Sequence, residues 1–148
     1  MYLKDDNGFI EFKPISYEFP ELSKTHKYYD QFDSNWLKIE FLYKGGDNIV
    51  KKETQACVLA NEMTAFVRDL KLLENGESSI AALDTLEPYL KISAERITNG
   101  YTVTVDFQGF IEERKEFEYI CVKKMLTSDG MKEFIRQLEA EYKPFLQR

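Results

Sequence analysis

The residues best suited to chemistry in this chain are carboxylates. Within residues 107–119 stand Glu112, Glu113, Glu116 and Glu118, against Arg114 and Lys115. On a strand, Glu116 and Glu118 share a face, at a spacing that could seat two acids over a sugar or a metal ion. Phe117 and Tyr119 alternate with them, a pattern that turns rings to the core and acids to water. The expectation is therefore a solvated acidic face. The alternative that keeps a role for the acids is contact with a basic partner, made by Glu112, Glu113 and Glu116.

Nucleophile and metal chemistry have little to work with. His26 is the only histidine, in the polar stretch 23–30 that reads as loop. It is expected to be solvated; a general base oriented by Asp30 or Asp33 is the competing reading. Cys57 and Cys121 lie far apart, each inside an apolar stretch, and are expected to be buried free thiols of a reducing cytosol, with a disulfide between them as the alternative. Zinc sites need three or four ligands at short spacing, which the sequence lacks. It also lacks the glycine-rich phosphate loops, HExxH, GxSxG and an EF-hand loop. No catalytic residue, metal or cofactor is expected. Tyr28, Tyr29, Phe32 and Trp36 crowd one passage, and three uses remain open for them: core or loop anchor, protein interface, or pocket wall.

Periodicity says which elements must position these groups. Residues 9–13 and then Ile15, Tyr17 and Phe19 alternate as strands. In residues 36–44, Leu37, Ile39, Phe41 and Tyr43 share one face, and residues 45–48 turn the chain into a return strand over 52–59. A 3.6-residue period then predicts a helix over 62–74, with Asn61 as N-cap, a Met63, Phe66, Val67, Leu70 and Leu73 stripe, and Gly76 as its stop. Residues 76–85 read as a connector. A strand over 86–93 puts Leu86, Pro88, Leu90 and Ile92 on one face. Asn99-Gly100 suits a type I′ hairpin turn into a strand carrying Tyr101, Val103, Val105 and Phe107. After a charged turn over 112–115, a strand over 116–124 leads to a second helix. Thr127 or Ser128 caps it, Met131, Phe134, Ile135, Leu138 and Tyr142 form its stripe, and Pro144 ends it. Short turns make the strands antiparallel, so the fold class is α+β, a twisted antiparallel sheet with two amphipathic helices packed on it. The element order hints at a loose duplication.

Composition narrows the partners. The 148 residues suit a single domain, 1–148, and are 43% apolar and 31% charged, as in ordinary soluble folds. Twenty Lys and Arg against 26 Asp and Glu leave a net charge of −6, which disfavours nucleic acid and anionic membranes. Lys51-Lys52 and Lys123-Lys124 are isolated pairs. No signal peptide or spanning segment is present in the sequence, so a cytoplasmic location is expected.

One resemblance adds a specific suggestion. Asp33-Ser34-Asn35-Trp36-Leu37, opening a strand, resembles the D-x-N-W-L signature of the WapI-like family of bacterial contact-toxin immunity proteins. In order follow Cys57-Val58-Leu59 running into Asn61-Glu62-Met63, then Glu87-Pro88-Tyr89-Leu90-Lys91-Ile92, which looks like the family's E-P-x-L-x-F strand, and a Phe/Leu-striped last helix. The likeness spans roughly residues 15–145. It implies a small cytoplasmic protein, not an enzyme, that neutralises a cognate toxin domain, often a nuclease, by stoichiometric binding. The residues alone also leave open a small-molecule module with an aromatic-lined pocket and a structural homo-oligomer. A monomer or weak homodimer is expected.

Overall fold

A computed structural model describes residues 1–22, 33–44, 48–111 and 115–145. Within them, β1 (Tyr2–Lys4), β2 (Phe9–Tyr17), β3 (Trp36–Lys44) and β4 (Val50–Leu59) pair antiparallel in that order, and α1 (Ala60–Asn75) follows. The pattern then repeats: β5 (Ile80–Asp84), β6 (Leu90–Ile97), β7 (Gly100–Ile111) and β8 (Glu116–Leu126) form a second antiparallel sheet, and α2 (Ser128–Tyr142) closes it. The α+β class stands, with the expected sheet divided into two four-stranded ones. Each half runs as four strands and a helix, so the duplication hinted at by element order holds at the level of topology.

Alternation produces the core. Leu37, Ile39, Phe41 and Tyr43 of β3 and Val103, Val105 and Phe107 of β7 are all buried. The sheets meet where Phe107 stacks on Phe41, ring centroids 4.2 Å apart, and meets Tyr43 edge-on at 5.1 Å. Gly109 makes this approach possible. A Cβ there would lie 2.3 Å from the Tyr43 hydroxyl oxygen and 2.8 Å from its ring, inside any tolerable contact. The helices lie side by side and antiparallel, with Lys71 bonded to Glu139 and Lys132 near Glu74. Their stripes, Met63 to Leu73 and Met131 to Tyr142, fill the interior as their periodicity requires.

Several local expectations change. β2 is one strand through Pro14, with a register shift between Pro14 and Ser16. Pro14 has no N–H, and β1 has already ended beside Glu11, so the break leaves no second ladder short of a donor. α1 starts at Ala60, not after Asn61. Leu59 is its N-cap, and the Glu62 carboxylate accepts the Leu59 N–H at 2.8 Å, replacing a side-chain cap. Gly76 ends it at φ 87°, as expected. Residues 80–84, taken for connector, form β5, whose alanines carry too little alternation to announce a strand. β6 begins at Leu90 rather than Leu86, because the Thr85 hydroxyl engages the carbonyls of Glu87 and Leu90 and folds the intervening residues into a turn. The β6–β7 hairpin turns on Thr98 and Asn99, with Ile97 opposite Gly100. Asn99 does not take the positive φ of a type I′ turn. Gly100, the first residue of β7, instead has φ 144°, and a Cβ there would fall 2.3 Å from the Leu126 carbonyl oxygen. α2 is capped by Thr127, whose hydroxyl accepts the Gly130 N–H at 3.1 Å, and it stops before Pro144.

Candidate functional site

β8 decides which side chains reach the outside. Phe107 stands opposite Ile120 and Val105 opposite Val122, all four buried. Parity then turns Glu118 inward and Phe117, Tyr119 and Cys121 outward. This reverses the expected facing: the rings lie on the open side and Glu118 on the core side, because two aliphatic residues further along the strand set its register. Glu118 is shielded there by a 2.7 Å ion pair to Lys51 of β4.

The outward rings form a patch. Phe110 and Phe117 are register partners, their centroids 5.4 Å apart and edge-on, and Tyr89 lies 6.4 Å beyond Phe117. Phe110 is 44% exposed, Phe117 46% and Tyr119, opposite Gln108, 78%. Ile49 just before β4 and Val50 at its start are also exposed, beside Lys51, whose bond to Glu118 draws this end of β4 to the start of β8. Among the described residues α2 packs on β7 and β8, and the rings of this patch stay exposed.

Polar contacts hold the patch from beneath. The Glu53 carboxylate of β4 accepts the Phe110 N–H at 3.1 Å, just past the end of β6 pairing, where β7 has lost its ladder partner. Gln55 donates to Glu53 at 2.6 Å. Burial raises the Glu53 pKa above the ordinary carboxylate value, although the Phe110 N–H favours its ionised form. Farther along β8, the Asp5 carboxylate accepts the Lys123 N–H at 2.9 Å. β8 thus runs across one end of the first sheet, from β4 to the β1–β2 turn, and the patch rests on a braced strand.

Of the acids singled out in the sequence, Glu116 opens β8 opposite Ile111 with its side chain exposed, next to Phe117. Glu112 and Glu113 lie outside the described residues, as do His26, Tyr28, Tyr29, Asp30 and Phe32. Trp36 is half-buried at the start of β3. Both cysteines are free, but only Cys57 is buried. Burial drives the Cys57 thiol pKa far up, and Cys121, expected in the core, sits exposed on the outer face near Asp106. Among the described residues no group of acidic, histidine or cysteine side chains could hold a metal ion. No helix there is long and apolar enough to cross a membrane. Phe110, Phe117 and Tyr119 were not singled out as surface residues from the sequence. The available signal was the Val103, Val105, Phe107 run, whose parity puts Phe110 outside.

Fold and patch together define a class: an α+β scaffold of two antiparallel sheets and paired helices that presents exposed aromatic side chains on one sheet face. The chain belongs to the immunity protein WapI-like family, whose family model matches residues 1–146. No curated protein and no solved structure shows a significant match to it.

The segments that carried the resemblance serve the fold. Asp33–Asn35 form one 3-10 turn, in which Ser34 and Asn35 are buried and bonded to each other at 3.1 Å. Glu62 accepts both the Leu59 N–H and, at 3.0 Å, the Leu86 N–H. It thereby ties the start of α1 to the turn that carries Glu87-Pro88-Tyr89, and so fixes one ring of the patch.

Proposed function

We propose that this protein binds and neutralises the toxic domain of a cognate contact-delivered toxin, as a stoichiometric complex formed through the Tyr89, Phe110, Phe117 and Tyr119 patch with Glu116 at its edge. The observation that carries the contact face is the exposure of three neighbouring rings on the outer face of β7 and β8. Aromatic residues dominate binding hot spots, because they bury a large area at little conformational cost. Net charge of −6 favours a basic partner surface, as a nuclease domain would offer, and speeds the encounter. Glu112 and Glu113, which precede Glu116 in the sequence, are included in this proposal as further acidic contacts.

The test is co-expression with the toxin domain encoded beside it, followed by titration of the purified pair. Protection and a one-to-one complex are expected. The Phe117→Ala/Tyr119→Ala variant should keep its melting temperature and lose protection. Loss of neither protection nor affinity in that variant removes the patch as the contact face, and absence of any complex removes the function. Light scattering that shows a stable dimer through the same patch would favour the homo-oligomer reading instead.

A further inference from the structure

A second surface lies on the helical side of the molecule. Along the seam of α1 and α2 runs an open groove of about 780 Å³. Its floor is apolar, built from Ala60, Met63, Val67 and Leu72 of α1, Ala140 of α2 and Phe145 just beyond it. Phe145 is held by an edge-on contact with Tyr17 at 5.7 Å, so the floor is anchored to the first sheet at that end. From Ala60 to Leu72 the groove spans roughly 18 Å of helix, about three turns.

Its rim has the opposite sign to the chain as a whole. Arg68 and Lys71 line one bank and Arg136 and Lys143 the other, while Glu139 is the only carboxylate among the lining residues. Glu139 is bonded to Lys71. Arg68 and Arg136 engage Asp69 and Glu133, carboxylates that do not line the groove. All three pairs are exposed, so a partner carboxylate could exchange into them at little cost. Among the described residues Lys143 makes no ion pair.

We infer that this groove is the docking site for an amphipathic α-helix of a partner protein, with its apolar face on the Met63–Phe145 floor and acidic side chains along both flanks. The walls are helices, whose backbone groups are bonded internally, so no strand edge is available to an extended peptide. A third helix laid along an antiparallel pair packs ridges into grooves and needs only side-chain contacts. A second copy of this chain is disfavoured by symmetry. An isologous contact would bring the cationic rims face to face. The inference stands independently of the aromatic patch, which lies at the other end of the first sheet.

The probe is a labelled, acetylated peptide of about 14 residues, with Leu at i, i+3, i+4, i+7 and i+11 and Glu on both flanks. Fluorescence anisotropy against the full chain should show saturable binding that weakens with salt. Arg136→Glu/Lys143→Glu should weaken it about tenfold or more, and Phe117→Ala/Tyr119→Ala should leave it unchanged. Arg136→Gln/Lys143→Gln, a milder change, should weaken it in the same direction with an unaltered melting curve. Three outcomes overturn the inference: no binding, equal binding of a peptide with Lys in place of Glu, or indifference to both rim variants. Dimerisation in light scattering that Leu72→Glu abolishes would also overturn it and give the groove to a second copy.

Discussion

The outer faces of the two sheets differ in what they expose: the first carries a carboxylate between two lysines and one ring pair, Tyr2 and Phe9, and the second a larger cluster of exposed rings. On the first sheet, Glu40 of β3 sits between Lys13 of β2, at 3.2 Å, and Lys52 of β4, at 2.8 Å. On the second, the hairpin end of β7 and of the edge strand β8 holds Phe110, Phe117 and Tyr119. Charge ladders satisfy a solvated face, and an exposed ring cluster does not. Both faces lie opposite buried ones, so burial of the core required neither choice. That difference supports the proposed function, in which the second face is the contact surface for the toxin domain.

The comparison can be broken first at its inner reference. Phe107→Ala removes the ring that joins the sheets and should cost about 3–5 kcal/mol in a urea titration; a loss no larger than that of Tyr119→Ala would mean the two faces are not distinct. Next in size, Tyr119→Ala should change stability by less than about 0.5 kcal/mol. It should lower affinity for the toxin domain by about 2 kcal/mol or more, as measured by calorimetry. Gly109→Ala forces a methyl against Tyr43 and should destabilise by about 1–3 kcal/mol. In a Tyr43→Leu background its added effect should shrink, which would place the clash at the seam beneath the patch.

Smaller effects sharpen the contrast. Burial holds the Glu53 pKa above 4.5, so the folded chain keeps this proton more tightly than the unfolded one. Its contribution to stability is present below 4.5 and is lost as pH rises through the folded value. Glu53→Gln should therefore flatten the pH dependence of the urea midpoint just above 4.5, and an unchanged slope would refute the assignment. Glu40→Gln, on the charged face, should leave the melting temperature nearly unmoved, since the ion pairs with Lys52 and Lys13 that lower the Glu40 pKa lie at the surface.

Much of the fold was legible in the sequence because one period ruled each segment. Residues 36–44 alternate strictly, and both helical stripes are continuous, so local pattern and burial agree. β5 was not legible, since Ala81 and Ala82 read the same on either face. The candidate site was legible only in part. Glu116 is exposed at the start of β8 but has the parity of Glu118, and Phe117 and Tyr119 have the residue types of a core.

By itself, then, the sequence determined the α+β class, the antiparallel hairpins, the two helices and the absence of the familiar catalytic and phosphate-binding motifs. These follow from residue type and from periods of two and 3.6 that act over a few neighbours. Only the tertiary structure decided that there are two sheets, that Phe117 and Tyr119 face outward, and that the helix pair carries a cationic groove. A one-residue choice of strand parity exchanges every side chain between core and water. Here that choice was made by Ile120 and Val122 meeting Phe107 and Val105 across the sheet.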